Sequence, residues 1–228
     1  RPRDVQVHAA IGLPWRKPLD VSRGSGEWPL RNWISFSRFS GGHFVERHVQ
    51  AVDRAAWIMG DLPPVAAEGA TVPLAGAGWR PDVAAGRPGR RGVAAHGGLA
   101  TGAIGDCPAA TAVRYTFADG STIEASIDRR ERSADRVIET VIGARGACDL
   151  VRGTISGHAN RMTARAPGPG RFSAAMAALV EGIVSGRVAH DGDTMCRSTL
   201  MAVMGRMAAE SGRPVAWSDV ARGAERLA

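Results

Sequence analysis

Two alternating runs, Ala112-Val113-Arg114-Tyr115-Thr116-Phe117 and Ser121-Thr122-Ile123-Glu124-Ala125-Ser126-Ile127, flank Ala118-Asp119-Gly120. An Asp-Gly pair supplies the positive φ angles of a tight hairpin turn, so the runs are committed to antiparallel pairing. Further strands are available to join them. Val5 to Ile11 alternates, and Pro64 to Ala70 reads as extended. Val137 to Ile142 and Ala147 to Val151 pair across Gly143 to Gly146, and Val215-Ala216-Trp217 returns as a short final strand. The sheet is therefore expected to be open and mostly antiparallel.

Three segments have helical spacing instead. After Leu30 to Gly42, Val45, Val49, Val52, Ala56 and Met59 form one apolar stripe, while Glu46, Gln50, Asp53 and Trp57 fall on another line. Gly60 offers a left-handed stop, and Pro63-Pro64 prevents resumption. Phe172, Met176, Leu179, Val180 and Ile183 repeat in a second helix that stops at Gly186. A third, Thr194 to Ser211, carries Met195, Thr199, Val203 and Met207 along one stripe, with Leu200 and Met204 beside it, and Gly212 ends it. The expectation is a single α+β domain over 1–228, with helices near 44–59, 172–185 and 195–210 on one face of the sheet. Trp15 to Pro29 reads as loop, and about 71–101 as an irregular excursion rich in Gly, Pro, Ala and Arg.

Composition narrows the function classes. A hydrophobic share of 44% with 22% charged residues is ordinary for a folded chain, which argues against wholesale disorder. No apolar run reaches the ~18 residues of a membrane span, because Glu181 interrupts even the Ala-rich stretch near Met176 to Val184. Arg1-Pro2-Arg3-Asp4 carries no apolar signal core. The chain is read as soluble with its compartment unknown; the cytoplasm is favoured and export stays open. A net charge of +7 suggests nucleic acid, but all but one of the 29 basic residues are arginine, which has the look of a coding bias. The clusters Arg87, Arg90, Arg91 and Arg129, Arg130, Arg132 have no interleaved aromatic residues, so they read as a solvated or interface-facing surface rather than a strand-stacking platform. Cys107, Cys148 and Cys196 are too scattered for a disulfide framework or a zinc knuckle, and each reads as a small buried hydrophobe.

The helical segment around residues 40–57 carries a more specific pattern. Arg31-Asn32-Trp33 leads in, and Ser40, Gly41, His43, Glu46, His48, Val49, Asp53 and Trp57 follow at fixed spacing. This resembles the first large helix of the C-terminal domain in the glucose-fructose oxidoreductase and inositol dehydrogenase (Gfo/Idh/MocA) family. Ser198 to Ala209, followed by Ser211-Gly212-Arg213-Pro214-Val215-Ala216-Trp217, resembles the family's last helix and final strand. The resemblance implies the substrate-binding and oligomerisation half of a nicotinamide-dependent sugar or polyol oxidoreductase. Subunits would pair through the uncovered sheet face, because an apolar face of that size must be buried. It also implies substrate-binding positions at Arg31, Asn32, Trp33, His43, Arg47 and His48, and proton-relay positions at Glu46, Gln50 and Asp53.

The same comparison exposes departures. Gln50 stands where the family's acid/base histidine belongs, and a glutamine can hydrogen-bond but cannot relay a proton. Gly42 replaces an Asp, Arg47 a Gln, Ala175-Met176 a Glu-His pair and Ala109-Ala110 an Asp-His pair. Packing positions persist while polar site positions are lost. The family's preceding Rossmann domain is not in this sequence; Gly76-Ala77-Gly78 is the nearest approach to its glycine loop, with Pro81 at the third glycine position. Arg16-Lys17-Pro18 imitates the family's Glu-Lys-Pro motif without its Glu. The chain alone is expected to bind no cofactor, with NAD or NADP held only when such a domain is supplied. No metal is expected either, since His43 and His48 would lie about 140° apart on a regular helix. Two readings compete: half of an enzyme weakened in catalysis, and a non-catalytic assembly or ligand-binding module derived from one. An arginine-driven nucleic-acid binder is the weaker third.

Overall fold

The structure, a computed structural model, describes residues 2–15, 17–18, 27–72, 105–130, 135–157, 161–163, 171–187 and 190–225. The Asp119-Gly120 turn joins β3 (Ala110–Thr116) to β4 (Thr122–Arg130) as an antiparallel pair, with Gly120 at φ 78°. β1 (Pro2–Gly12) lies on the far side of β4 and runs parallel to it, Val5 opposite Ile123 and Ile11 opposite Arg129. β2 (Ala66–Val72) pairs with β3, and β9 (Val215–Ala216) closes that edge. On the other side of β1, β5 (Arg136–Gly143), β6 (Gly146–Asp149), β7 (Thr154–Gly157) and β8 (Arg161–Thr163) continue as antiparallel hairpins. The resulting order is β8-β7-β6-β5-β1-β4-β3-β2-β9, an open sheet with one parallel pair. The α+β reading holds; β7 and β8 were not legible as strands because Thr154–Gly157 and Arg161–Thr163 are short and show no apolar alternation. The excursion read at about 71–101 falls, beyond Val72, outside the described residues, and so does Gly76-Ala77-Gly78.

One face of the sheet makes the core. Val5, Val7, Ala9 and Ile11 of β1, Ile123, Ala125 and Ile127 of β4, and Val113 and Tyr115 of β3 are buried there. Alternation sends Gln6, His8, Arg114, Glu124, Ser126 and Thr140 to the opposite face, where His8 Nδ1 meets Ser126 Oγ at 2.9 Å and Arg114 pairs with Glu124. The central strands are thus polar on that side, and the argument that an apolar face must pair subunits does not apply to them.

The helices on the core face differ from the sequence expectation in one systematic way. The first segment is broken into α1 (Glu27–Arg31), α2 (Ser37–Ser40), α3 (Gly42–Glu46) and α4 (Val49–Ile58), with a 3-10 turn at Trp33–Ser35. At His48 the N–H reaches back five residues to the His43 carbonyl, 3.2 Å, while the Arg47 N–H also bonds that carbonyl at 3.0 Å. This widened turn rotates the helix, and the buried positions become Phe44, His48, Ala51, Val52, Ala55, Ala56 and Met59, leaving Val45 and Val49 only half-buried. The Gly60 stop forms as expected, the Asp61 N–H capping the Ala56 carbonyl at 2.9 Å.

In α6 (Gly192–Ser211) the core face is Met201, Ala202, Met204, Gly205, Ala208 and Ala209, whereas Met195 is 65% exposed and Met207 40%. Ala202, Gly205, Ala208 and Ala209 share the buried side with Met201 and Met204 where this helix lies against β2 and β3, so of the expected residues Met204 and Leu200 pack on the core while Met195 and Met207 do not. α7 (Trp217–Glu225) takes over at Trp217, which the sequence reading had assigned to a strand. α5 (Arg171–Ser185) forms as expected, but Met176, Leu179, Val180 and Ile183 are all exposed instead of covering the sheet. Among the described residues no helix is long and apolar enough to cross a membrane.

Candidate functional site

The parallel strands β1 and β4 end side by side at Gly12 and Arg130, one residue beyond Ile11 and Arg129, and α3 packs against β4. The approach to this point is tightly built. Asn32, fully buried, accepts from the Lys17 N–H at 2.8 Å and donates to the carbonyls of Lys17 and Trp28 at 3.2 and 3.0 Å. The Arg-Asn-Trp lead-in therefore owes its Asn to clamping one loop against α1. The segment at Gly105 to Ala109 is pinned in turn. Asp106 accepts from the Ser37 N–H at 2.6 Å, the Asp106 N–H donates to the Ser35 carbonyl at 3.2 Å, and the Arg129 N–H donates to the Ala109 carbonyl at 2.9 Å. Gly105 has φ 89°, and any Cβ there would overlap the Ser35 carbonyl, so only glycine permits this approach.

These contacts gather polar groups that the fold itself does not satisfy. Ser35 Oγ, both ring nitrogens of His43, Glu46 Oε2, His48 Nε2, and Nε and Nη2 of Arg129 are all buried without a hydrogen-bond partner. Buried polar atoms are nearly always paired, so these groups on neighbouring elements mark a candidate site; Asp61 Oδ1 and Arg206 Nε, elsewhere in the fold, are buried without a hydrogen-bond partner as well. Cys107, fully buried, sits among them with its sulfur 3.6 Å from Ser37 Oγ, 3.9 Å from Ser40 Oγ and 3.8 Å from the Ile34 carbonyl.

The electrostatics are cationic. Burial, followed by the positive charges of Arg129 and Arg47, lowers the His43 pKa to about 3, leaving a neutral imidazole that offers one N–H and one lone pair. His48 is also lowered to about 3, chiefly by burial, opposed by a hydrogen bond with the Val7 backbone; its ring lies 5.4 Å from that of Phe44. Burial brings Arg129 down to about 10, which still leaves it charged at neutral pH.

The expected site residues divide accordingly. His43, Glu46 and His48 carry the unpartnered atoms, while Arg47 is exposed but close enough to act on His43. Gln50 is exposed on the first turn of α4 and Asp53 is half-buried one turn later. Arg31 reaches Glu27 at 3.9 Å, and Trp33 is exposed. Arg54, next to Asp53 in sequence, grips the buried carboxylate of Glu139 on β5, Nε to Oε2 at 3.1 Å and Nη2 to Oε1. Lys17 is an exposed loop residue, its ammonium 5.5 Å from the centre of the Trp15 ring. Sequence reasoning missed Ser35 and misplaced Arg129, which looked like one of a solvated arginine cluster. The only available signal was its parity, since Arg129 continues the inward series Ile123, Ala125, Ile127. Cys107 is buried as expected, but Cys148 is only partly buried and Cys196 is exposed, so the reading as buried hydrophobes fails there.

Among the described residues no group of three His, Cys, Asp or Glu is placed to hold a metal ion, and no glycine-rich turn joins a strand to a helix in the way a dinucleotide's phosphates require.

No family model and no curated protein matches the sequence. Solved structures do match in fold. An oxidoreductase from Thermotoga maritima aligns with a TM-score of 0.61 and 11% identity over 96% of this chain and 55% of its own. GenD2 from gentamicin A biosynthesis, solved in complex with NAD, aligns with a TM-score of 0.59 and 16% identity over 94% and 55%. The myo-inositol 2-dehydrogenase from Lactobacillus plantarum aligns with a TM-score of 0.56 and 16% identity over 95% and 57%. The chain thus has the fold of one part of oxidoreductases of this kind, in agreement with the resemblance to the Gfo/Idh/MocA C-terminal domain carried by its two sequence blocks. It spans just over half the length of each of these solved chains.

Proposed function

We propose that this chain is the substrate-binding half of a nicotinamide-dependent sugar or polyol oxidoreductase, with the nicotinamide held by a companion domain and the substrate at the ends of β1 and β4. The observation that carries the reading is the set of buried, unpartnered polar atoms on α3 and β4, in a fold shared with polyol and other dehydrogenases. Sugars are recognised by donors and acceptors that satisfy each hydroxyl twice, and His43 and Glu46 supply both kinds. A neutral His43 can donate to one hydroxyl oxygen and accept from another, and the free oxygen of the Glu46 carboxylate can accept a hydroxyl proton. Gln50 would orient a hydroxyl without taking its proton, so proton transfer in this chain falls to Glu46, with Asp53 one turn beyond Gln50. Calorimetric titration of glucose and of myo-inositol into the chain tests this. Saturable binding to the wild type, weakened about tenfold or more by His43→Ala and by Glu46→Gln, is the expected result. Undetectable binding of both at tens of millimolar would reject it.

A second reading, a non-catalytic assembly module, is favoured by the exposed apolar stripe of Met176, Leu179, Val180 and Ile183 on α5. Self-association through this stripe predicts a dimer or larger oligomer by light scattering that Leu179→Glu with Ile183→Glu returns to monomer. A wild-type monomer at tens of micromolar would remove this reading.

A further inference from the structure

Among the described residues, Arg129 differs from two other arginines whose forks are engaged. Arg54 turns its Nε and Nη2 edge onto both oxygens of Glu139, and Arg114 turns the same edge onto Glu124. In Arg129 it is again Nε and Nη2 that are buried, and here no protein group meets them. Those two nitrogens are the side-on fork of the guanidinium, two parallel N–H bonds whose spacing matches the two oxygens of a carboxylate. Arg129 stands on the inward side of β4 at its last turn toward α3, next to His43, whose two ring nitrogens are also unsatisfied. No ion pair formed among the described residues involves Arg129; the nearby Cys107 sulfur favours its charge against the cost of burial, and its fork still lacks a hydrogen-bond acceptor.

We propose that the Arg129 fork is the recognition element for a substrate carboxylate, so that the ligand of this site is an acidic sugar such as a hexuronate rather than a neutral polyol. The inference rests on the sugar-binding reading above and names its substrate class. The carboxylate would take two N–H bonds from Arg129 and a third from the His43 N–H, with Ser35 Oγ as a further donor. Glu46, one helical turn after His43, would face the sugar hydroxyls; a carboxylate there does not compete for the fork, since Glu46 Oε2 is itself unpartnered. Because both nitrogens are screened from solvent, the acidic group must displace neighbouring side chains to reach them, and association should be slow compared with encounter.

The test is a calorimetric titration of glucuronate, glucose and glucose 6-phosphate into the wild-type chain and into Arg129→Gln and Arg129→Lys. The expected result is glucuronate bound at least tenfold more tightly than glucose, a preference abolished by Arg129→Gln and not rescued by Arg129→Lys, which keeps charge but loses the fork. Arg129→Gln removes an unpaired buried charge, so its thermal midpoint should equal or exceed that of the wild type and confirm that the variant is folded. Glucose bound as tightly as glucuronate, or a preference that survives Arg129→Gln, overturns the carboxylate assignment and leaves the sugar reading standing. Glucose 6-phosphate bound more tightly than glucuronate overturns the choice of carboxylate. Binding of none of the three overturns both.

Discussion

Gly205 of α6 lies against the hydroxyl of Tyr115 on β3, and a Cβ at that position would overlap the phenol oxygen and come within 2.9 Å of Phe44 Cε1. Tyr115 is fully buried and donates to the Met201 carbonyl one turn earlier on the same helix, 2.7 Å. The helix that closes the core is therefore set at its depth by an absent side chain and a single phenol.

Gly205→Ala is accordingly expected to destabilise the fold, although in an open helix the same change gains about 1 kcal/mol. Overpacking costs about 1–3 kcal/mol, and displacing the phenol strands a buried hydroxyl for about 1–3 more, so the net loss should be about 2 kcal/mol or larger. Urea denaturation measures it. A variant as stable as the wild type would show that α6 can lift from β3.

Arg54 and Glu139 should respond unequally to removal. The Glu139 side chain is 7% exposed and that of Arg54 40%, so losing Arg54 strands a buried carboxylate whereas losing Glu139 frees an arginine to reach water. Arg54→Ala is expected to cost more than Glu139→Ala, by about 1 kcal/mol, since breaking fully buried pairs costs about 3–5 kcal/mol and the half-exposed arginine reduces that figure. Equal losses in denaturant midpoints would mean that the pair behaves as a surface contact.

The histidines set an acid sensitivity. His43 and His48 have folded pKa values of about 3 against an ordinary 6.5, so between those pH values the unfolded chain holds protons that the native chain does not. Stability from these groups is complete above pH 6.5 and is lost as pH falls toward 3, with a slope of up to about 1.4 kcal/mol per pH unit for each. Urea midpoints at pH 7.5, 6 and 5 should fall in the wild type, and less steeply in His48→Gln. A wild-type midpoint that is constant over this range would place the imidazoles in contact with water.

Much of the architecture was legible because it depends on local chemistry. Asp119-Gly120 sets a hairpin through backbone preference alone, and Gly60, Gly186 and Gly212 end helices for the same reason. What sequence could not supply depended on tertiary context. The widened turn at His48 comes from a hydrogen bond that skips one residue, and no side-chain periodicity records it. The buried face of α6 mixes Met201 and Met204 with Ala202, Gly205, Ala208 and Ala209, and the small residues among them carry little hydrophobic signal. Of the candidate site, His43, Glu46 and His48 stood out by motif, but Arg129 belonged to a charge run until the strand's inward parity was known.

The central claim, that the α3 and β4 cluster receives an acidic sugar, is tested most directly by following the imidazole nitrogens of His43 by NMR while glucuronate is added. The account predicts that the His43 resonances move saturably with ligand, with the same midpoint as the calorimetric titration, while those of the exposed His190 stay in place. Binding that leaves His43 unmoved would put the ligand elsewhere on the molecule and contradict the account.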